Sequence, residues 1–190
     1  MAQESEAAKL RRFEEEALPH MNALYGTALR LTRNPTDAED LVQETYLKAH
    51  RFWDRYAPGT NCKAWLFKIL TNTRINQYVK VAKRPAQVSF EDVEPILEQR
   101  QPRGLQTETD GDLGVFVDLL DDELKEAMES VPEDFRTVLI LSVMEGFAYK
   151  EIAEILEIPI GTVMSRLFRA RKVLQGSLQE YARKRGLVKE

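Results

Sequence analysis

An acidic stretch rich in proline and glycine divides this 190-residue chain and argues against a single continuous core. Residues 86–122 hold two basic and ten acidic side chains, and apolar residues are sparse there before Leu113. Such a composition buries too little apolar surface to offset the entropy that is lost on ordering. The sequence therefore predicts a flexible acidic linker over residues 86–122, a first domain over 1–85 and a second domain over 123–190.

Apolar residues on both sides of the predicted linker recur every three or four positions, which is typical of amphipathic helices. Asn34-Pro35 is a helix-start signal, because asparagine caps a helix and proline fits its first turn. One helical pattern then runs to about Trp53, and another covers about 60–83. In the second domain Ser130 and Glu133 would form a capping box. Alternation typical of strands is absent, so we predict an all-α protein made of two small helical domains.

The composition excludes several classes of protein. The chain has one cysteine, Cys62, which rules out an intramolecular disulfide and an all-cysteine zinc site. Two distant histidines, His20 and His50, give little support to a metal enzyme. No apolar run approaches the roughly 20 residues that span a bilayer, and the acidic N-terminus lacks the apolar segment of a secretory signal. We expect a soluble cytoplasmic protein without a metal or a cofactor.

The charges are unevenly distributed along the chain. A formal net charge of −4 would argue against a simple polybasic nucleic-acid binder. However, residues 46–85 carry nine basic side chains and one acidic one, and residues 158–190 carry eight basic and two acidic ones. The total therefore hides two basic blocks, one on each side of the acidic linker.

The second basic block has the pattern of a helix-turn-helix. Within residues 149–175 a short helix with an apolar face is followed by a turn containing Pro159 and by a second helix. At 100° per residue, the second helix gathers Val163, Leu167 and Ala170 on one side. The other side and the flanks carry hydroxyl and basic groups, namely Thr162, Ser165, Arg166, Arg169, Arg171 and Lys172. Such a helix fits the major groove, where arginine and serine read base edges and flanking cations bind phosphates. The alternative is an ordinary surface helix with a solvated basic face.

The first basic block is rich in aromatic side chains. Cations interleaved with rings that stack on bases suit single-stranded nucleic acid. The alternative is that most of these rings, Phe52 and Trp65 among them, fill the core of a small helical domain. The helix that follows Thr60 is predicted to bury one broad face and to turn another side outward, which carries Phe67, Thr71, Arg74 and Tyr78, with Lys68 and Asn72 nearby. Cys62 fits a small core residue better than a redox sensor.

Taken together, these patterns resemble the extracytoplasmic-function (ECF) sigma factors, the small initiation factors of bacterial RNA polymerase. In the first domain the matching runs are DAEDLVQET at 37–45, KAWL at 63–66 and Asn72-Thr73. In the second domain they are EGFAYKEIA at 145–153 and GTVMSRL at 161–167. The resemblance covers about residues 10–83 and 120–185. It implies sigma region 2 in the first domain and region 4 in the second, and a binding factor rather than an enzyme.

The resemblance also implies partners and their sites. The helix after Pro35 has an acidic face that could simply be solvated or could dock a basic partner. By resemblance it would bind the β′ clamp helices of core RNA polymerase through Asp37, Glu39, Asp40, Leu41, Gln43 and Glu44. The minus-ten promoter element would be opened and bound by Tyr56, Asn61, Lys63, Trp65, Lys68, Asn72, Arg74 and Tyr78.

The minus-thirty-five element would be read in the second domain, which would also contact the β flap of the polymerase. Ser165, Phe168 and Arg169 would face the bases. Thr162, Arg166, Arg171 and Lys172 would contact the backbone. Met164 is uncharged where some relatives carry arginine. The charge of the linker adds a separate hypothesis. Because its net charge of −8 resembles that of nucleic acid, the acidic linker would thread the polymerase cleft built for RNA until the transcript displaces it.

The motifs GTN at 59–61 and GTVMSRL at 161–167 are similar to those of stress-response members held by zinc-binding, thiol-sensing anti-sigma factors. An anti-sigma partner is therefore expected. The alternative function is an autonomous helix-turn-helix regulator that binds duplex operator DNA without polymerase. An enzymatic function lacks support, because the sequence contains no phosphate-binding loop and no nucleophile elbow.

Overall fold

The computed structural model describes residues 6–82 and 122–184, and the secondary structure of these two ranges is helical. The chain divides into two compact units. The predicted all-α class is confirmed for the described residues. The predicted linker lies outside them except for its last residue, Asp122, which begins a helix. The boundaries at 85 and 123 stay predictions.

The N-terminal unit contains four α-helices, α1 to α4, and two single 3-10 turns. The α-helices are α1 (Glu6–Ala17), α2 (Met21–Thr32), α3 (Pro35–Arg51) and α4 (Cys62–Ala82), and the turns are Leu18–His20 and Trp53–Arg55. The predicted start of α3 is confirmed, because the side-chain oxygen of Asn34 accepts hydrogen bonds from the backbone N–H groups of Thr36 and Asp37 at 2.9 and 3.3 Å. Asparagine and proline thus fix the point at which the acidic helix begins.

Helix α4 packs against α1, α2 and α3 and forms the centre of the N-terminal unit. Every residue from 64 to 71 is buried, including Phe67, Lys68 and Thr71. The prediction that Phe67 and Thr71 lie on an outward side was therefore wrong. A helix surrounded by three others has no solvent face in its first half, so its sequence loses the amphipathic period that the prediction relied on.

The C-terminal unit contains α5 (Asp122–Ser130), α6 (Glu133–Leu139), α7 (Tyr149–Leu156) and α8 (Ile160–Lys184), and a π-helical turn, Ile140–Met144, extends α6. The long helix α8 packs against both α5 and α6. The predicted capping box was wrong. Pro132 precedes α6 without a side-chain cap, and the Ser130 hydroxyl instead donates to the Ala127 carbonyl at 2.7 Å, within its own helix.

The turn between α7 and α8 is three residues long. The Glu151 carboxylate accepts from the Ala148 N–H at 2.8 Å and so stabilises the start of α7. Glu157 ends α7 in the left-handed region with φ 55°, and the Ile158 N–H returns to the Ala153 carbonyl at 3.0 Å. The carbonyl of Pro159 then accepts hydrogen bonds from the N–H groups of Thr162 and Val163 in the first turn of α8. A helix-turn-helix of the predicted kind results, and α8 begins at Ile160, directly after Pro159.

Among residues 6–82 and 122–184, no helix is both long enough and apolar enough to cross a membrane.

Candidate nucleic-acid interface

The second helix of the helix-turn-helix has the two sides that its sequence predicts. Val163, Leu167 and Ala170 are at most 2 % exposed. The opposite side is open to solvent at Ser165, Arg169 and Lys172, with Arg171 on its flank. Phe168 is 70 % exposed, and Thr162 and Arg166 are half-buried at the edges. The structure therefore gathers all seven residues of the predicted minus-thirty-five set along one helix, on its solvent side and its margins.

Two of the basic side chains of α8 bind to α6 within the same unit. The Arg166 guanidinium forms an ion pair with the Asp134 carboxylate at 3.2 Å. The Arg169 guanidinium lies over the Phe135 ring, 5.9 Å from its centroid, which is within the range of a cation–π contact. Arg166 and Arg169 are thus oriented before any nucleic acid binds. Asp134 is an acidic competitor for any phosphate that Arg166 would contact.

In the N-terminal unit, the aromatic side chains form a buried cluster under the loop that precedes α4. Trp53 and Trp65 are fully buried, and their ring centroids are 5.7 Å apart. Tyr56 stacks on Trp53 at 4.6 Å, and its hydroxyl donates to the Thr60 carbonyl at 2.9 Å. Phe13 packs edge-on against Trp53 from α1.

The burial of Tyr56 and Trp65 corrects the expectation that they contact nucleic acid. Tyr56 is 3 % exposed and Trp65 is not exposed. In this conformation the two rings form the floor of the 57–61 loop and have no free face on which a base could stack. Burial raises the pKa of the Tyr56 hydroxyl, which therefore stays protonated and keeps its hydrogen bond to the loop. Tyr56 instead supports the loop through its hydrogen bond to the Thr60 carbonyl.

The loop itself is held by short-range hydrogen bonds. Gly59 has φ 81°, a left-handed conformation that favours glycine. The Thr60 hydroxyl donates to the Ala57 carbonyl at 2.7 Å, and the Asn61 side-chain oxygen caps α4 by accepting from the Ala64 N–H at 3.0 Å. Lys63 lies over the Phe67 ring at 5.8 Å. Asn61 and Lys63 remain partly exposed at the rim of the loop.

The remaining residues of the predicted minus-ten set follow along α4. Lys68 is 7 % exposed, and burial removes most of its surface from direct contact. Asn72 and Arg74 are half-buried, and the Arg74 guanidinium donates to the Leu31 carbonyl at 3.3 Å. Tyr78 belongs to α4, and its side chain lies outside the described residues. The structure thus brings Asn61 and Lys63 together, while Asn72 lies about three turns further along the helix.

The predicted polymerase-binding set lies on α3. Asp37, Glu39, Asp40 and Gln43 are exposed on this helix. Leu41 is fully buried, so it is a core residue and not the contact that was expected. This burial follows from the helical period, which turns Leu41 and Val42 inward and Asp40 and Gln43 outward.

Glu44 connects α3 to α4. Its carboxylate binds the Lys48 ammonium at 2.6 Å and accepts a hydrogen bond from the Gln77 side chain at 2.8 Å. Lys48 also donates to the Thr73 hydroxyl at 3.2 Å. This network joins the acidic helix to the second half of α4, so Glu44 has a structural role in addition to any contact with a partner.

Sequence reasoning missed several exposed apolar residues. Leu47 on α3 is 67 % exposed, and Ile160 and Met164 on α8 are 46 % and 50 % exposed. The signal that could have found Leu47 and Met164 is their angular position on the helix, because both lie off its apolar side. Ile160 is exposed because it begins α8. An apolar side chain at such a position has no core to enter.

The single cysteine lies in the core, as its sequence context favours. Cys62 is 8 % exposed at the start of α4. Burial, with the nearby Glu16 carboxylate, raises the pKa of its thiol to about 12. The thiol stays protonated at neutral pH and is a poor nucleophile. In the part of the chain that the structure describes, no group of three histidine, cysteine or carboxylate side chains could hold a metal ion.

Two family models match the chain in the same order as its two units. The model "Sigma-70 region 2" matches residues 18–84, and "Sigma-70, region 4" matches residues 121–174. The RNA polymerase sigma-H factor of Pseudomonas aeruginosa is 29 % identical over 175 residues, which are 91 % of this chain and 89 % of that protein. The ECF RNA polymerase sigma-E factor of Escherichia coli K12 is 33 % identical over 152 residues, which are 78 % of this chain and 77 % of that protein.

Solved structures agree with this similarity. The sigma factor RpoE of Bartonella quintana, crystallised with the anti-sigma factor NepR, is 30 % identical with a TM-score of 0.64 over 89 % of this chain and 98 % of that one. CnrH, in complex with the cytosolic domain of CnrY, is 20 % identical with a TM-score of 0.59 over 93 % and 90 %, and supports the fold alone. Both region models and a relative of 33 % identity therefore agree, and the chain belongs to the ECF group of the sigma-70 family of RNA polymerase sigma factors.

Proposed function

We propose that this chain binds core RNA polymerase and directs it to specific promoters. The observation that carries the proposal is α8, whose buried apolar side fixes it in the region 4 unit while Ser165, Arg169 and Lys172 face solvent. A helix held in this way can enter the major groove with its N-terminal half. The unit also belongs to a family whose members are initiation factors, not enzymes.

The work is divided between the two units. The N-terminal unit binds the β′ clamp helices through the exposed acids of α3 and opens the minus-ten element near Asn61 and Lys63. Supporting this, Pro58 and Gly59 of the 57–61 loop are exposed above a buried aromatic cluster, which fits a site where a base leaves the stack. The C-terminal unit reads the minus-thirty-five element through α8 and contacts the β flap.

Run-off transcription with purified core polymerase tests this function. A promoter is first selected from a DNA library by the reconstituted holoenzyme. Transcripts that start at one position and require both the protein and the core enzyme are expected. Tight binding to duplex DNA by the protein alone, without any stimulation of initiation, would instead support an autonomous regulator.

A matched pair of variants tests the acidic face of α3. Asp40→Asn and Glu39→Gln remove exposed charges without touching the core, because both side chains are exposed. Weaker binding to core polymerase is expected, with unchanged thermal stability. The control is Glu15→Gln on α1, an exposed acid outside the proposed face. Equal core affinity of all these variants would contradict the assignment.

An anti-sigma factor keeps this protein from polymerase. The support is the similarity to RpoE, whose structure was solved with the anti-sigma factor NepR. More narrowly, the GTN and GTVMSRL motifs favour a zinc-binding, thiol-sensing partner. Because Cys62 is buried and its raised pKa keeps the thiol protonated, oxidation would act on the partner and not on this chain.

The redox assignment is tested with the complex isolated from the native host under reducing conditions. The partner should contain zinc, and a thiol oxidant should release it from both the natural protein and the Cys62→Ala variant. A partner without zinc, or a complex that survives oxidation, would contradict the assignment. Neither outcome affects the initiation function, which the transcription experiment tests separately.

The protein acts in the cytoplasm, where RNA polymerase is.

A further inference from the structure

Helix α8 carries an exposed apolar stripe, of which only Phe168 belongs to the proposed base-reading residues. Ile160, Met164 and Phe168 are 46 %, 50 % and 70 % exposed. They are spaced four residues apart, so they follow one another along the same side of the helix. Met164 and Phe168 lie off the buried side formed by Val163 and Leu167, whereas Ile160 lies at the edge of that side, at the start of the helix.

The stripe lies in the part of α8 that would enter a groove. Recognition helices contact base edges with their N-terminal residues, and Ile160, Met164 and Phe168 occupy the first three turns. Arg171 is exposed directly beyond Phe168, and Lys172 is its neighbour. The surface thus changes from apolar at the start of the helix to basic further on.

The backbone beside the stripe is uncovered at Gly161. A Cβ atom added there would meet no atom of the protein within 4 Å. The start of α8 is therefore open to an outside surface.

Duplex DNA is the occupant that matches these features. Its phosphates complement the exposed cations Arg171 and Lys172. In the same major groove the only apolar group on a base edge is the 5-methyl of thymine. A protein that covered the stripe would also cover these cations and would need acidic groups to match them.

We propose that Met164, flanked by Ile160 and Phe168, reads the 5-methyl group of a thymine in the upstream promoter element. Met164 becomes a specificity residue that acts by apolar contact, without a hydrogen bond. Its flexible thioether adapts to the surface of a methyl group. The inference rests on the proposed function, since it needs a holoenzyme that recognises a promoter.

Uracil scanning tests the inference. Each thymine of the upstream element is replaced in turn by deoxyuridine, which lacks only the methyl group, and holoenzyme binding is measured by competition. One replacement should weaken binding by about fourfold, the loss expected for one buried methyl group. With Met164→Ala the thymine and uracil promoters should bind equally well. Lys172→Ala is the control and should weaken both promoters while keeping their ratio.

Several results would overturn the inference. One is that the natural protein binds equally well with uracil at every position of the element. Another is that the Met164→Ala variant still prefers thymine to uracil. A Met164→Ala variant that binds DNA normally but loses an anti-sigma partner would assign the stripe to protein binding instead. A holoenzyme that initiates nowhere would refute the proposed function, whereas normal initiation without uracil sensitivity refutes only this inference.

Discussion

Gly161→Ala should stabilise the protein and weaken its binding to the promoter. The added methyl group meets nothing within 4 Å, so it brings no steric cost in the free protein. Alanine favours a helix over glycine by up to about 1 kcal/mol. For a unit of this size that gain corresponds to a rise in melting temperature of about 4–8 °C or less.

The effect on DNA binding has the opposite sign. If the backbone at Gly161 approaches the groove closely, a methyl group displaces α8 and disturbs a base contact. Loss of one good contact costs about 1–3 kcal/mol, which corresponds to a roughly 5–150-fold loss of affinity. Thermal melting of the full chain gives the first quantity, and competition binding of the holoenzyme to a promoter fragment gives the second.

Gly176→Ala is the matched control. Gly176 is also exposed in α8, and an added Cβ there meets nothing within 4 Å. It lies about 22 Å further along the helix, well beyond the end that enters the groove. The control should be stabilised by a similar amount and keep its promoter affinity. The reasoning fails if Gly161→Ala is stabilised and binds the promoter as well as the natural protein does.

Three further predictions rest on an ion pair, a backbone conformation and a buried thiol. Asp134→Asn releases Arg166 from its ion pair, so promoter binding should become tighter and depend more steeply on salt concentration. The free energy of unfolding, measured with urea, should change by less than about 1 kcal/mol. Glu157→Gly removes a side chain from the left-handed region at the end of α7 and should raise the melting temperature, with a stability gain of about 1 kcal/mol. The Cys62 thiol, whose pKa is raised to about 12, should react slowly with Ellman's reagent at pH 8 and rapidly in denaturant; equal rates would contradict its burial.

Local signals in the sequence predicted the amphipathic helices, which have one solvent-exposed side and one buried side. Asn34 marks the start of α3 because its side chain bonds to the next N–H groups, an interaction that needs no distant residue. The two sides of α8 were predicted for the same reason, since Val163 and Leu167 share one phase of the helix.

Tertiary packing decided what local signals could not. Phe67 and Thr71 fall outside the apolar side of α4 by phase, yet they are buried because α1, α2 and α3 surround that helix. The basic and aromatic composition of the first block suggested stacking on bases, but it does not distinguish a ring on the surface from one in the core. The structure places Tyr56 and Trp65 in the core.

The predicted polymerase-binding set on α3 also shows how far local sequence signals reach. The exposed acids of α3 were predicted from their phase, whereas the bridge from Glu44 to Gln77 joins residues 33 positions apart and depends on how α3 and α4 pack. Met164 was noted only as an uncharged position. Its meaning emerged when the structure aligned it with Ile160 and Phe168 on the surface.

Permanganate reactivity of promoter thymines tests the central claim most directly, because it detects the unpaired bases of an opened promoter. The protein and core polymerase are added to promoter DNA separately and together. Reactive thymines at the minus-ten element are expected only when both are present. Opening of the promoter by the protein alone would contradict the account of this chain as a sigma factor. So would a promoter that the protein protects by itself but that stays closed when both proteins are present.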